Sequence, residues 1–519
     1  MKYLKIFCLA AFLMFGSLGC TKLNEKFQGD LTPAEVAGGA NSVNALLQAV
    51  YTSMQITYQD QSNFLAMSEM TTDELIGPTR GPDWDDNGVW RVLHAHAWDG
   101  DNLHIKECFD QLSGTVFAAT DLLQYSPTPA QAAEARFLRA FSMFNQLDGW
   151  DQVPYRDPGE SVIVPSRVRK GTEALTYIMS QLTDSILPNI ASAPPVDKAN
   201  KDAAKVLLMK CYLNKGVIAN RATPTFDPAD MQQVITLANQ IIATANYSLT
   251  PNYYDNFAPT NDKLSKENIF TFARQGGQGT GGGGNTVNSR WHMTMHYKQA
   301  PSGWNGFTTL GDFYNKFEPA DTRRGMAYNS TLPSGTTNPG HRINVGFMAG
   351  QQYDLKTDTA LTDRTGAPLN FTPDVKLIET GSNLEVTGIR VDKYPVDYAN
   401  DGSNNVDNDY VYYRYSDVLL MKAEALLRTN DAVNSLLIVN QIRSARGASP
   451  LASLTLDNLL DERGRELYWE DFRRQDLIRF GKFLQPWAEK PTDDPKYLLL
   501  TIPNTQLAVN PNLKQNPGY

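Results

Sequence analysis

Residue types that commonly carry out chemistry are scarce in this chain. It has four cysteines and six histidines in 519 residues, and no Gly-x-Ser-x-Gly, His-Glu-x-x-His or Gly-Lys-Ser/Thr motif occurs. These absences argue against the serine hydrolases, zinc proteases and phosphate-loop enzymes that carry such motifs. Carboxylates are plentiful, so counting does not exclude a glycosidase pair, but no spacing marks two of them as partners. The sequence predicts a protein that is not an enzyme.

Clusters of positive charge are also missing. The formal net charge is −9, and an acidic chain without a basic patch is a poor partner for nucleic acid. After a short leader, no stretch is apolar and long enough to span a bilayer. With 41% hydrophobic and 20% charged residues, the chain has the composition of a globular protein, with room for two domains or one large helical one.

The leader is the most informative local feature. Two lysines precede an apolar run at residues 6–15, and Leu-Gly stands directly before Cys20, as in a secretory signal. The arrangement is similar to a lipobox, in which the cysteine is acylated and becomes the mature N-terminus. An ordinary signal with an incidental cysteine is the alternative. We expect a signal peptide at 1–19 and a lipid tether on Cys20.

Two further cysteines follow the leader. Cys108 and Cys211 lie in stretches with helical, apolar patterning. We expect both to be buried free thiols, and a disulfide outside the cytoplasm is the alternative.

Helical periodicity dominates the first half of the chain and returns near its end. Apolar residues recur at helical spacing in the following ranges: 43–54, 105–123, 132–147, 172–187, 202–216, 231–245, 415–428, 432–446 and 456–480. Many of these come in pairs joined by short turns, as in degenerate tetratricopeptide-like repeats. Repeats from both ends should pack into one layer. The fold predicted is mainly α, with helical hairpins forming a body.

The middle of the chain has a different character. Residues 247–406 are rich in Gly, Asn, Thr and Pro, and seven glycines fall within 275–285. This composition predicts a loop-rich lobe with short strands and short helices, and loops this long are usually functional. The expected organisation is therefore a helical region at 20–246 and a second region at 247–519 that holds the lobe and the returning helices.

Four segments together resemble the SusD/RagB family of outer-membrane lipoproteins from Bacteroidetes. They read DELIGPTRGPDW at 73–84, EARFLRAF at 134–141 with WDQVPY at 150–155, YRYSDVLLMKAEA at 413–425, and ERGRELYWE at 462–470 with FRRQDLIRFG at 472–481. The resemblance spans nearly the whole mature chain. It implies a non-enzymatic protein that captures oligosaccharides or peptides at the cell surface. It also implies a SusC-like TonB-dependent barrel as the partner that imports the ligand.

The predicted ligand site combines flat aromatic rings with planar polar groups. Rings cover the apolar faces of a sugar, and carboxylate, amide and guanidinium groups engage its hydroxyls. The loop-like stretch 73–104 and the glycine-rich middle supply this mixture. The predicted ligand-binding residues are Asp73, Arg80, Trp84, Trp98, Asn102, Trp291, Tyr297 and Trp304. The family resemblance carries Asp73, Arg80 and Trp98 over most directly, because they lie in or near a matching segment.

Three other features have mainly structural interpretations. Charges at residues 463–476 should form pairs such as Glu470 with Arg474 that lock the last helix to the body. No cofactor is expected, although Asp407 and Asp409 could hold a structural calcium. The pairs His94/His96 and His292/His296 could bind a metal, but no third ligand has matching spacing.

Two alternatives to glycan binding remain open. Acidic loops and the tyrosines of 410–415 would suit a peptide-binding member of the same family, and helical repeats could serve as a protein-interaction scaffold. A panel of glycans and peptides would separate these functions.

Overall fold

The computed structural model describes residues 40–80, 85–277, 286–329, 341–382, 384–401, 405–491 and 493–519. The predicted signal peptide, Cys20 and Trp84 lie outside these ranges. Within them, no helix combines the length and the apolar character that crossing a membrane requires.

Helices are the main regular elements of the fold, as the periodicity predicts. They are α1 (Ala40–Gln59), α2 (Val89–His94), α3 (Leu103–Leu122), α4 (Pro129–Trp150), α5 (Gly171–Ser180), α6 (Lys201–Ala219), α7 (Pro228–Ala243), α8 (Asn261–Leu264), α9 (Ser289–His292), α10 (Gly311–Tyr314), α11 (Tyr415–Arg428), α12 (Ala432–Ala445), α13 (Leu456–Leu467), α14 (Arg473–Arg479) and α15 (Asn504–Val509). The N-terminus of α4 carries a capping box between Thr128 and Gln131, with a proline in the first turn. Asn200 and Asp227 cap α6 and α7 by accepting backbone hydrogen bonds.

The helices pair into antiparallel hairpins. The pairs α3/α4, α6/α7 and α11/α12 each pack along their length, and both α6 and α7 also contact α11. Repeats from the two ends of the chain therefore share one layer, and the mainly α fold with tetratricopeptide-like hairpins is confirmed. Cys108 and Cys211 are buried free thiols inside this body.

Short antiparallel strands lie in the body and in the lobe. They are β1 (Gln152–Tyr155), β2 (Arg167–Lys170), β3 (Asn268–Phe272), β4 (Gly325–Met326), β5 (Val345–Met348), β6 (Gly350–Gln351), β7 (Tyr353–Asp354), β8 (Thr359–Ala360), β9 (Asn370–Phe371), β10 (Arg390–Asp392) and β11 (Tyr410–Arg414). The largest described sheet has three strands in the order β10-β5-β4. Strand β11 pairs with β3 and leads directly into α11, which fixes the lobe to the body.

The prediction of one helix over 456–480 is wrong. Helix α13 ends at Leu467, and Trp469 and Asp471 have φ values of +56° and +70°, a left-handed conformation that interrupts a helix. The chain turns and restarts as α14. Gly464 lies inside α13, where a Cβ would stand 2.8 Å from an Arg473 guanidinium nitrogen. Glycine costs about 1 kcal/mol in a helix interior, and here its lack of a side chain leaves room for that arginine.

The charges of this region form a buried network. Glu466 on α13 pairs with Arg414 at 2.7 Å and Arg446 at 2.9 Å, and Arg323 reaches its other oxygen at 3.0 Å. Glu470 pairs with Arg414 at 2.7 Å across the lobe–body junction. The predicted locking role of these charges is confirmed, but the expected pairing along one helix is wrong, because the helix is broken.

Candidate functional site

Two segments predicted to share the ligand face meet in the structure. Ile76 and Thr308 form an antiparallel bridge with reciprocal backbone hydrogen bonds of 2.9 and 3.1 Å. Next to it, the Thr309 hydroxyl donates to the Glu74 carbonyl at 2.7 Å, and Arg80 Nε donates to the Gly306 carbonyl at 3.2 Å. The N-terminal loop and the central segment are thus joined, although more than 200 residues separate them in sequence.

Arg80 has a structural position rather than an open one. Its side chain is buried, forms an ion pair with Glu379 at 3.0 Å and donates to the Leu384 carbonyl at 2.9 Å. Burial lowers its pKa to about 10, and only Glu379 opposes that shift. Every contact points into the protein, so the expectation that Arg80 presents a free guanidinium to ligand is wrong in this structure.

Three other predicted residues are also enclosed. Trp98 is 3% exposed, and its indole N–H donates to the Tyr519 hydroxyl at 2.6 Å. Trp291 is fully buried. Asn102 caps α3 by accepting hydrogen bonds from the amides of residues 104 and 105. The expectation that these side chains offer open surfaces is wrong, because distant parts of the chain cover the rings and the helix end occupies the amide.

Asp73 lines a cleft, but its carboxylate is already engaged. Both of its oxygens accept from Arg473 at 2.7 Å. Burial alone would raise the pKa of Asp73, yet the neighbouring guanidinium holds it below its ordinary value. The cleft has a volume of about 370 Å³, and Asp312, Lys316 and the partly buried Trp487 also line it. Sequence reasoning missed Trp487, whose only signal was a tryptophan after a proline in the irregular tail.

Tyr297 and Trp304 keep part of their surface accessible. Trp304 stacks on His292 with ring centroids 5.7 Å apart and an interplanar angle of 25°. The Arg364 guanidinium lies over the Tyr297 ring, 4.6 Å from its centroid. We call residues 291–305 with Arg364 the aromatic segment. It unites two partly exposed rings with a guanidinium that is 47% exposed.

Two side chains of the aromatic segment are held by one carboxylate. Glu385 pairs with Arg364 at 2.9 Å and with His296 at 3.0 Å. Burial lowers the pKa of His296 to about 4, which the contact with Glu385 only partly opposes. His296 is therefore neutral near pH 7, and its hydrogen bond to Glu385 positions the adjacent Tyr297.

The candidate metal ligands have other partners. Asp407 accepts from the Gly276 amide at 2.6 Å, and Asp409 accepts from the Arg274 amide at 2.7 Å and the Thr271 hydroxyl at 3.1 Å. Each ring nitrogen of His94 faces a backbone carbonyl oxygen at 3.1 Å. Within the described ranges, no three His, Cys, Asp or Glu side chains are grouped so that they could hold a metal ion.

Comparison with known proteins gives one consistent group. The sequence model of the SusD family matches residues 235–499. The starch-binding protein SusD of Bacteroides thetaiotaomicron is 26% identical over 495 residues, which cover 87% of this chain and 84% of that protein. SusD-like protein P25 of Formosa agariphila is 25% identical over 430 residues, covering 75% and 73%.

Solved structures share the fold. A SusD superfamily protein from Parabacteroides distasonis superposes with a TM-score of 0.68 at 18% identity, covering 94% of this chain and all of the other. Surface glycan-binding protein A of Bacteroides thetaiotaomicron, solved with laminarihexaose, gives 0.66 at 18% identity, covering 92% and 99%.

Proposed function

The chain belongs to the SusD family, and from this premise we propose that it is a surface lipoprotein of the outer membrane that binds oligosaccharide or polysaccharide. It delivers the ligand unchanged to a TonB-dependent barrel for import. One observation carries the proposal: Tyr297 and Trp304 remain partly exposed on one segment beside the half-exposed Arg364. One relative is named for binding starch, and a surface glycan-binding protein of the same fold was solved in complex with laminarihexaose.

The chemistry of the aromatic segment suits a sugar polymer. Each ring offers a flat apolar face with few torsions to freeze, so it can cover the C–H face of a pyranose. The Arg364 guanidinium can donate to two neighbouring hydroxyls at once. Shallow sites of this kind give dissociation constants of roughly micromolar to millimolar, or about −8 to −4 kcal/mol.

Binding without cleavage is part of the proposal. A glycosidase needs one carboxyl to donate a proton and a second carboxylate at a fixed distance. Asp73, one of the carboxylates that line the cleft, is locked to Arg473 and has a lowered pKa, so it is unsuited to proton donation. Incubation of the protein with a bound oligosaccharide should yield no shorter products by chromatography.

The lipid tether is the second part of the proposal. Cys20 stands twenty residues before the first described helix, and a segment of that length can span at most about 70 Å. That reach lets the body sit over a membrane partner while acyl chains hold it in the bilayer. Replacing Cys20 with serine should release the protein from the outer-membrane fraction and abolish labelling by a palmitate analogue. Unchanged membrane attachment would contradict the lipidation.

The central experiment compares three alanine variants. Trp304→Ala and Tyr297→Ala should each weaken polysaccharide binding by about tenfold, equivalent to about 1.4 kcal/mol, in affinity electrophoresis and calorimetry. Phe117→Ala is the matched control, because Phe117 is an aromatic on α3 that is 45% exposed, away from the aromatic segment. Equal losses in all three variants, or no binding by the wild type to any polysaccharide, would refute the site.

Peptide remains the alternative ligand class, but the structure removes one argument for it. The tyrosines of β11 are all buried, and Tyr410 accordingly cannot meet a peptide backbone at the surface. Peptides should therefore be included in the ligand panel, and retention of a peptide in place of any glycan would favour that alternative. Copurification of a TonB-dependent barrel from detergent-solubilised membranes tests the proposed partner.

A further inference from the structure

The loop-rich lobe contains a second pocket, separate from the accessible faces of Tyr297 and Trp304. Its volume is about 220 Å³, and it lies between the strands after residue 341 and the inner side of the aromatic segment. The residues that define it are Met295, Gln299, Met348, Gln352, Asp392 and Tyr398. A water occupies about 30 Å³ of liquid, so the space equals about seven waters, close to the size of one six-membered sugar ring.

Asp392 is the unusual member of this lining. It is 1% exposed, and its Oδ1 atom has no hydrogen-bond partner within the described part of the chain. It forms no ion pair with any described residue, although most other buried carboxylates here have an arginine or lysine beside them. A buried polar atom without a partner costs about 1–3 kcal/mol. Such an atom in the wall of a pocket indicates a hydrogen bond that a bound molecule supplies.

The strand pairing places Asp392 and an apolar wall on the same side. Arg390 stands opposite Met348 in the β10–β5 register, and Asp392 follows two residues later on the same face of β10. Met348 and Asp392 both line the pocket. Burial raises the pKa of Asp392 well above its usual range, which favours the protonated form, in which the group can both donate and accept.

The remaining walls mix apolar and polar groups. Gln299 and Gln352 contribute amides, and their side chains approach each other at 3.4 Å. Burial and the neighbouring Asp392 raise the pKa of Tyr398, so its hydroxyl stays protonated as a donor. At the rim, the Arg342 guanidinium lies 3.4 Å from the centroid of the Tyr353 ring. An apolar wall with neutral donors and acceptors matches a neutral ring that carries hydroxyls.

We propose that this pocket is a subsite for one neutral, hydroxyl-bearing sugar ring, such as the terminal or branch unit of a glycan. The proposal rests on the proposed function, because Met295 and Gln299 of the pocket and Tyr297 of the binding surface belong to one short segment. A polymer lying on the aromatic segment can therefore insert a side unit beside Asp392.

The test uses the mature chain and a panel of methyl glycosides of neutral hexoses, neutral pentoses and amino sugars, observed by saturation-transfer NMR. Ala349→Trp is the main variant, because Ala349 lines the pocket yet is exposed, so a large ring there fills the pocket without disturbing the core. Asp392→Ala is the second variant, checked for folding by thermal melting. Asp184→Asn is the matched control, an exposed aspartate after α5.

At least one methyl glycoside should bind to the wild type and to Asp184→Asn, lose its signals with Ala349→Trp, and bind about tenfold more weakly to Asp392→Ala. Absence of any bound glycoside in the wild type, equal binding by Ala349→Trp, or selection of an amino sugar over every neutral ring would overturn the subsite. The retardation of the wild-type protein by polysaccharide in affinity electrophoresis is measured in parallel. If polysaccharide still retards the wild type while the subsite test fails, only the subsite is refuted. If polysaccharide does not retard the wild type, the proposed function itself is refuted.

Discussion

Replacement of Glu466 with glutamine should be among the most destabilising single-atom changes in this protein. The Glu466 carboxylate lies among Arg414, Arg446 and Arg323, at distances of 2.7 to 3.0 Å, and all four side chains are fully buried. Glutamine keeps the shape of the side chain but removes its charge. Its amide also places a donor where two guanidiniums now donate, so at least one arginine loses one of its carboxylate partners.

The expected loss follows from the burial of the network. Breaking a buried ion pair by removing one partner costs about 3–5 kcal/mol, because the remaining charge is left uncompensated in a poorly solvated site. The entropy of unfolding is about 2.1 cal/mol/K per residue, or about 1 kcal/mol/K for a chain of this size. The melting temperature should therefore fall by about 3–5 °C if the body and the lobe unfold together.

Differential scanning calorimetry at neutral pH measures this shift directly. Asp157→Asn is the matched control, since Asp157 pairs with Arg167 at 2.7 Å but both side chains are largely in solvent. That control should move the melting temperature by less than about 1 °C. Equal shifts in the two variants would show that the buried network contributes no more than a surface pair and would refute the reasoning.

Three more predictions concern stability. Burial alone would raise the pKa of Glu462, but Arg323 and two other arginines lower it to about 2. Because this pKa is below the unfolded value, the stability that Glu462 contributes is complete above about pH 4.5 and is lost as the pH falls toward 2. Glu462→Gln should therefore flatten the dependence of the melting temperature on pH between 5 and 3. Arg474→Ala should lower the melting temperature, since Arg474 donates to the Leu498 carbonyl at 2.8 Å, while glycan affinity in calorimetry stays the same; lost affinity with unchanged stability would contradict this role. Trp291→Ala should cost about 3–5 kcal/mol in denaturant unfolding, because the ring is fully buried, and a wild-type transition midpoint would count against its packing role.

The helices could be predicted because their information is local. Apolar spacing at 3.6 residues located α3, α4, α6, α7, α11 and α12 to within a few residues. The break after Leu467 could not be predicted in this way, since Trp469 and Asp471 take left-handed backbone conformations that their residue types do not indicate. Tertiary contacts of Trp469 with the Glu74 carbonyl, 395 residues away, hold that turn.

The candidate site was predicted less well for the same physical reason. A tryptophan in a glycine- and proline-rich loop is equally suited to bind a ligand or to pack under the loop. The deciding partner of Trp98 is Tyr519, 421 residues further along the chain, and no local pattern reveals such a pairing. Tyr297 and Trp304 stay partly accessible, and they now carry the site hypothesis together with Arg364.

Residues 500–516 pack against the end of α4 and the start of β1. The Leu500 amide donates to the Gly149 carbonyl at 2.8 Å, Gln152 and Lys514 exchange two hydrogen bonds, and the Asn516 side chain donates to the Trp150 carbonyl at 3.0 Å. The end of α4 and the start of β1 consequently gain their cover from residues 500–516, far along the chain. Removal of residues 500–516 should therefore leave the end of α4 uncovered, and a bulky group on Tyr519 would disturb its hydrogen bond with Trp98.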